Sequence, residues 1–242
     1  MLPLETNSAH DFLQGLGLRL GHPKAVVCIS AHWSTLHPRI TGSAHPQPIH
    51  DFYGFPEAAY KLQYFPPGAP ELATQVTQVL KAKGIESEVE TSRGLDHGAW
   101  NPLLLMYPKA DVPVIQLSLQ TPLGPAHHWA VGEALAPLRK EGVLILGSGG
   151  ASHNLQKLST DSAPTPDWVH AFIDWLTDAI TEDKQGALIH YRQQAPHAAL
   201  NHPTEEHLLP LFVARGAGGT KGTLLHSSFT HSILSMAAYA FG

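Results

Sequence analysis

The hydrophobic positions of this chain change spacing several times along its length, and each change predicts an element. Phe12, Leu13 and Leu16 recur at helical intervals behind the turn-forming Ser8, which predicts a helix over 8–19. Lys24–Ser30 (KAVVCIS) is apolar at consecutive positions, as in a strand buried on both faces. From His37 to about Pro70 the pattern dissolves into a Pro/Gly/aromatic loop. Helical spacing returns over Glu71–Lys83 and stops at Gly84, a residue suited to a left-handed cap. Ser87–Thr91 alternates like a half-buried strand, and Val112–Leu119 and Val143–Gly147 read as further strands. Pro125–Lys140 is predicted helical, ending before Gly142. Over Asp167–Thr181 the residues Trp168, Phe172, Ile173, Leu176 and Ile180 form the apolar face of another helix. A last helix is expected over Glu205–Arg215, with Thr204 as its N-cap and His207 in its first turn, before a C-terminal segment that returns as a strand.

Strands and helices therefore alternate. That order predicts a single α/β domain with a central, mostly parallel or mixed sheet flanked by helices. No internal repeat or low-complexity segment interrupts it. In such sheets, ligands bind just outside the carboxyl ends of the strands, which gives a way to sort candidate residues.

Composition narrows the partners. Hydrophobic residues make up 43% and charged residues 14%, as in a compact globular chain. A formal charge of −5 offers no electrostatic footing for nucleic acid or an anionic membrane. No apolar run reaches membrane-spanning length, and Met1-Leu2-Pro3-Leu4-Glu5 lacks the layout of a signal peptide. A single cysteine, Cys28, cannot form an internal disulfide, so a cytoplasmic location is expected. Histidine is over-used: 17 stand against 15 Lys and Arg together, and histidine is the commonest metal ligand and acid–base residue near neutral pH.

Four histidines pass the strand-end filter or sit in loops with suitable neighbours. His32 follows the first predicted strand in Ser30-Ala31-His32-Trp33. His153 follows another through Ser148-Gly149-Gly150-Ala151-Ser152, whose small residues permit a close bend. His207 lies in Pro203-Thr204-Glu205-Glu206-His207, and His97 lies in a loop with the carboxylate of Asp96 beside it. Taken singly, each is more simply read as a hydrogen-bonded or solvated histidine. His50 is either a pocket-loop residue or a bystander, with an Asx-type turn accounting for Asp51. Trp33 and Trp100 wall a substrate pocket or pack in the core. Glu205 and Glu206 read as first-turn acids favoured by the helix dipole. No CxxC, HExxH or phosphate-binding glycine loop is present, which sets aside zinc fingers, zincins and nucleotide folds.

In order along the chain stand SAHW (30–33), IHDFYGFP (49–56), LDHGAW (95–100), SGGASHNL (148–155) and PTEEHLLPL (203–211). This set resembles the class III extradiol ring-cleavage dioxygenases, and within them the 4,5-DOPA dioxygenase extradiol group, relatives of the protocatechuate 4,5-dioxygenase catalytic subunit. The likeness runs over nearly the whole chain, and Leu234-Ser235-Met236-Ala237-Ala238-Tyr239 fits the family's closing segment. It implies that His32 and His207 are metal ligands. His153 is then the acid–base histidine beside the metal or an additional ligand, and His97 a substrate-contacting residue able to move a proton. The implied cofactor is a divalent metal, Fe(II) for dioxygenase activity with Zn(II) as another bound ion. The implied substrates are a small catechol and O2, giving a muconic semialdehyde type of product. The chemistry is coherent: a catechol chelates one metal through two adjacent oxygens, and a few ligands on one face leave positions open.

Against that family's pattern, one segment is not found. The His-Gly-Ser-Pro motif at the end of its first strand has no counterpart, and Met1-Leu2-Pro3-Leu4-Glu5 aligns with the residues after it. The expectation is one extradiol-type domain over 1–242 lacking that strand and its histidine ligand. Two other readings stand beside the enzyme: a non-catalytic metal-binding relative or truncated inactive homologue of the same fold, and a metal-dependent hydrolase. The hydrolase is disfavoured by the lack of a carboxylate-rich cluster around the histidines.

Overall fold

The computed structural model describes residues 1–219 and 221–242. Its elements are, in chain order, α1 (Ser8–Leu20), β1 (Ala25–Ser34), β2 (Arg39–Thr41), α2 (Glu57–Tyr60), α3 (Pro70–Lys81), β3 (Glu88–Glu90), α4 (His97–Met106), β4 (Val114–Leu119), α5 (Gly124–Arg139) and β5 (Val143–Ser148). They continue with α6 (Asp167–Thr181), α7 (Gln185–Ile189), α8 (Tyr191–Gln194), α9 (Ala198–Asn201), α10 (Leu209–Gly218), β6 (Gly222–His226), β7 (Phe229–Thr230), β8 (Leu234–Ser235) and β9 (Ala238–Phe241).

The central sheet has the order β3-β2-β4-β1-β5. It is mixed: β1 runs parallel to β4 and β5, and β2 is parallel to β3 but antiparallel to β4. Two small antiparallel pairs, β6–β9 and β7–β8, close the C-terminal part. This is the expected single α/β domain.

β1 shows why the apolar run KAVVCIS is a central strand. Its side chains alternate between faces. Ala25, Val27 and Ile29 enter a core with α3, α5, α6 and α10, whereas Val26 and Cys28 enter a second core with α4 and the inner face of α1. On α6, Phe172, Leu176 and Ile180 are fully buried in the first core. Each such side chain stabilises the fold by about 1.5–3 kcal/mol relative to exposure.

Several boundaries differ from the sequence pattern. α1 is capped by Asn7, whose side chain accepts from the His10 amide, and not by Ser8. β1 extends four residues past Ser30, so His32 lies inside the strand and not after it. The supposed loop 37–70 contains β2 and the single turn α2. His97 begins helix α4, N-capped by Asp96, and is not a loop residue. The last long helix starts at Leu209, with Pro210 in its first turn, so His207 precedes it. Thr204 does not cap that helix; its hydroxyl donates to Glu206 Oε1 instead. Proline fits the late start, since Pro210 has no amide hydrogen to donate to the Glu206 carbonyl and so cannot sit inside a helix running from Glu205, but is well placed in a first turn.

Candidate active site at the carboxyl edge of the sheet

The strand-end filter works because β1, β4 and β5 are parallel and release their chains on one side of the sheet. His32 leaves β1 on the face of Val26 and Cys28, where the N-terminus of α4 brings up His97. The ring centroids of these two lie 4.0 Å apart. Gly98 makes that approach: a Cβ there would stand 2.2 Å from Ser30 Oγ and 2.9 Å from His32 Cδ2. On the opposite wall, the chain leaving β5 turns through Gly149 and Gly150 to His153. The His207 carbonyl accepts from the Gly150 amide at 2.9 Å. The His153 and His207 rings are parallel, 3.4 Å apart between centroids, and His207 meets His32 edge-on at 5.3 Å.

All four rings line one cavity of about 600 Å³. Away from the histidines its walls are mostly apolar, with Phe12 and Leu16 of α1, Leu144 and Leu146 of β5, and Tyr239 of β9, although Asn101 and Arg139 also line it. It runs along the outer edge of β5, which pairs with β1 alone among the described strands.

Electrostatics suit metal binding, because an imidazole must be neutral to coordinate. Burial, followed by the neighbouring His207 and His202, holds His153 down at about 3. Burial, then His97 and His207, lowers His32 to about 4. Carboxylates stand behind two other rings. Asp51 Oδ1 accepts from both the amide and ring Nδ1 of His97, each at 2.9 Å, and Glu206 Oε1 accepts from His207 Nδ1 at 3.1 Å. Asp51 is held at about 2, with its bonds to His97 overcoming burial, and Glu206 at about 2, chiefly by His207. Donor atoms of His32, Asp51 and His97 also lie within 4.8 Å of one another, a second grouping able to hold a metal. The neutral nitrogen-rich set fits a transition-metal ion.

The structure thus brings His32, His97, His153 and His207 together. It places the tryptophans elsewhere. Trp100 is fully buried and donates through Nε1 to the Ile49 carbonyl, and Trp33 is buried beneath Arg93, whose guanidinium carbon lies 4.8 Å from its ring centroid. Neither lines the histidine cavity. Asp96, expected beside the His97 ring, is buried and bonded to Gln116, Arg93 and the Ala99 amide. The carboxylate that does touch His97 is Asp51, read from sequence as a turn residue. Its neighbour His50 anchors the loop by a 2.9 Å bond to the Leu62 carbonyl. A further tether was not foreseen: buried His202 bonds through Nε2 to the Ala151 carbonyl at 2.9 Å, tying the His153 loop to the segment before His207.

Among the described residues, no helix is long and apolar enough to cross a membrane. The family model described as the catalytic LigB subunit of aromatic ring-opening dioxygenase matches residues 10–242. The 4,5-DOPA dioxygenase extradiol of Beta vulgaris is 45% identical over 222 residues, covering 90% of this chain and 83% of that protein. The protein of the same name from Escherichia coli K12 is 38% identical over 219 residues, covering 88% and 80%. The crystal structure of an uncharacterized protein from Escherichia coli K12 superposes with a TM-score of 0.84 at 32% identity, covering 99% of this chain and 94% of that one. The chain belongs to the LigB family of class III extradiol dioxygenases.

Proposed function

We propose that this chain is a metal-dependent extradiol dioxygenase that opens the ring of a small, DOPA-like catechol with O2, placing both oxygen atoms in a muconic semialdehyde type of product. The observation that carries this reading is the convergence of four histidines on one apolar-walled cavity at the carboxyl edge of the sheet. His32 and His207 are its metal ligands, and His153 is an additional ligand or the acid–base residue. When bound, Fe(II) supplies the electron transfer between a catechol and O2 that Zn(II), lacking redox chemistry, does not.

The side chains divide the remaining work. The apolar walls of Phe12, Leu16 and Leu146 exclude water and take the flat ring of the substrate. His97, with Nδ1 engaged by Asp51, offers Nε2 to a substrate hydroxyl. His153 is neutral at neutral pH and can accept a catechol proton. Its burial makes it a weak base in the free pocket, but an anionic catechol oxygen beside it raises its proton affinity. The same imidazolium can return that proton as the ring opens.

A second reading is a non-catalytic metal-binding relative of the same fold, in which His32 and His207 are the histidine ligands. With two such ligands the bound ion would keep more water and be held less tightly. Oxygen uptake with L-DOPA, caffeate and protocatechuate, after anaerobic Fe(II) loading, separates the two. The chain should be assayed as it stands and extended upstream through a His-Gly-Ser-Pro segment. Uptake by both supports the enzyme for this sequence, uptake only by the longer form supports the second reading, and silence in both removes the ring-cleavage assignment.

A further inference from the structure

Asp51 presents two incompatible roles. Its carboxylate belongs to the grouping of donor atoms with His32 and His97 that could itself hold a metal. It also stands where a carboxylate would orient rings that act elsewhere. We infer that Asp51 is a positioning residue that holds His97 in the Nδ1–H tautomer from behind the site and biases His32 the same way, so that both rings present Nε2 to the cavity.

Three observations decide for positioning. First, Oδ1 already accepts two hydrogen bonds from His97, one from its amide and one from its ring, both at 2.9 Å. An ionised carboxylate only accepts, so the ring nitrogen facing it must carry the proton. Second, Oδ2 lies 3.8 Å from His32 Nδ1. That is too long for a hydrogen bond, yet close enough for the negative charge to favour a proton on that nitrogen. Third, the cavity is lined by His32, His97, His153 and His207 and not by Asp51. Asp51 engages the Nδ1 side of His97, which leaves Nε2 as the ring nitrogen free to serve the cavity. The arrangement matches the general use of an outer carboxylate to fix the tautomer and direction of a working imidazole. His207 and Glu206 repeat it across the cavity at 3.1 Å. Burial opposes ionisation of Asp51, but its bonds to His97 outweigh that and hold the carboxyl below its ordinary value, as suits an acceptor.

The inference rests on the proposed reading only for what the rings do in turnover; the tautomers are read without substrate or iron. Two-bond 1H–15N correlation spectra of the full chain, stripped of metal, should show His97 as Nδ1–H. In Asp51→Ala that preference should vanish, and Zn(II) affinity, measured by chelator competition, should fall by about 10- to 100-fold. Asp51→Asn is the sharper variant and guards against misfolding of the alanine protein. Its amide oxygen can keep both His97 bonds while its NH2 turns toward His32, so His97 should stay Nδ1–H and His32 should shift toward Nε2–H. A parent protein with His97 as Nε2–H overturns the inference. So does an unchanged His97 tautomer in folded Asp51→Ala or an unchanged His32 tautomer in Asp51→Asn, and the metal-ligand role replaces it if Zn(II) affinity then collapses. None of these outcomes depends on whether the chain cleaves catechols.

Discussion

The two walls of the histidine cavity are built by different means. The wall carrying His32 and His97 is set by regular structure: a central strand buried on both faces, a helix N-terminus capped by Asp96, and a carboxylate behind the rings. The wall carrying His153 and His207 is made of two irregular segments, 149–154 and 202–208. Backbone contacts hold them together, from Gly150 N–H to the His207 carbonyl, from His153 N–H to the Asn201 carbonyl, and from the His202 ring to the Ala151 carbonyl. A sheet fixes side-chain direction at little local cost. Irregular segments do so only when each buried backbone group finds a partner, so the second wall depends on more individual contacts. It should therefore be the wall more readily deformed by mutation.

The largest effects test whether both walls serve one metal. His32→Ala and His207→Ala should each lower Fe(II) or Zn(II) affinity by more than about 100-fold, beyond what loss of an outer-shell partner does. Chelator competition measures it. Parental affinity in either variant would remove that wall from the site. His153→Ala should behave differently if proton transfer is its main work: kcat falls by about 10²- to 10⁴-fold in anaerobically loaded enzyme, with smaller loss of metal. Equal loss of metal in all three variants would make His153 a ligand first.

Glycine substitutions compare the walls directly. A Cβ on Gly149 would stand 2.1 Å from the His207 carbonyl oxygen and 3.0 Å from its carbon, so the backbone bearing a proposed ligand must move. A Cβ on Gly98 meets the Ser30 hydroxyl, a side-chain atom that can rotate, and then the His32 ring. Gly149→Ala should destabilise by about 1–3 kcal/mol or more, and Gly98→Ala by less. Urea unfolding of both, with metal affinity measured alongside, decides; the reverse order would show that the irregular wall tolerates substitution better than the strand–helix junction.

The same contrast explains what could be read in the sequence. β1, β4, β5 and α6 were legible because each buries a face or both faces of one element, so local spacing reports a local fact. Asp167–Thr181 is recovered to its ends for this reason. His32 and His153 followed from their place at or beyond the carboxyl ends of strands, and the motif set identified the family. Asp51 was not legible in its role. Its partner His97 lies 46 residues away, and an Asp beside a loop aromatic is ordinarily a turn residue. Asp96, adjacent to His97, drew attention because it was near in sequence, yet its oxygens are taken by the helix cap, Gln116 and Arg93. The start of α10 was misjudged because Thr204 and two glutamates imitate an N-terminus that Pro210 moves downstream.

Acid should separate the walls by a smaller effect. In the metal-free protein, His153 is held at about 3 by burial, against an ordinary value of 6.5 in the unfolded chain. Between those two values the unfolded chain binds a proton that the folded one refuses, so stability is lost as pH falls from about 6.5 toward 3. His32, held at about 4, adds a loss of the same sign over a narrower range. Asp51, depressed to about 2 from 3.8, is charged in both states above its ordinary value, and its contribution disappears only at lower pH. Urea unfolding at pH 7 and pH 5 should therefore show a drop in the parent that His153→Gln reduces, since glutamine does not titrate, whereas Asp51→Asn leaves it nearly intact. If His153→Gln loses as much stability as the parent over that interval, the His153 ring is protonated in the folded protein, and burial in the irregular wall does not keep it neutral.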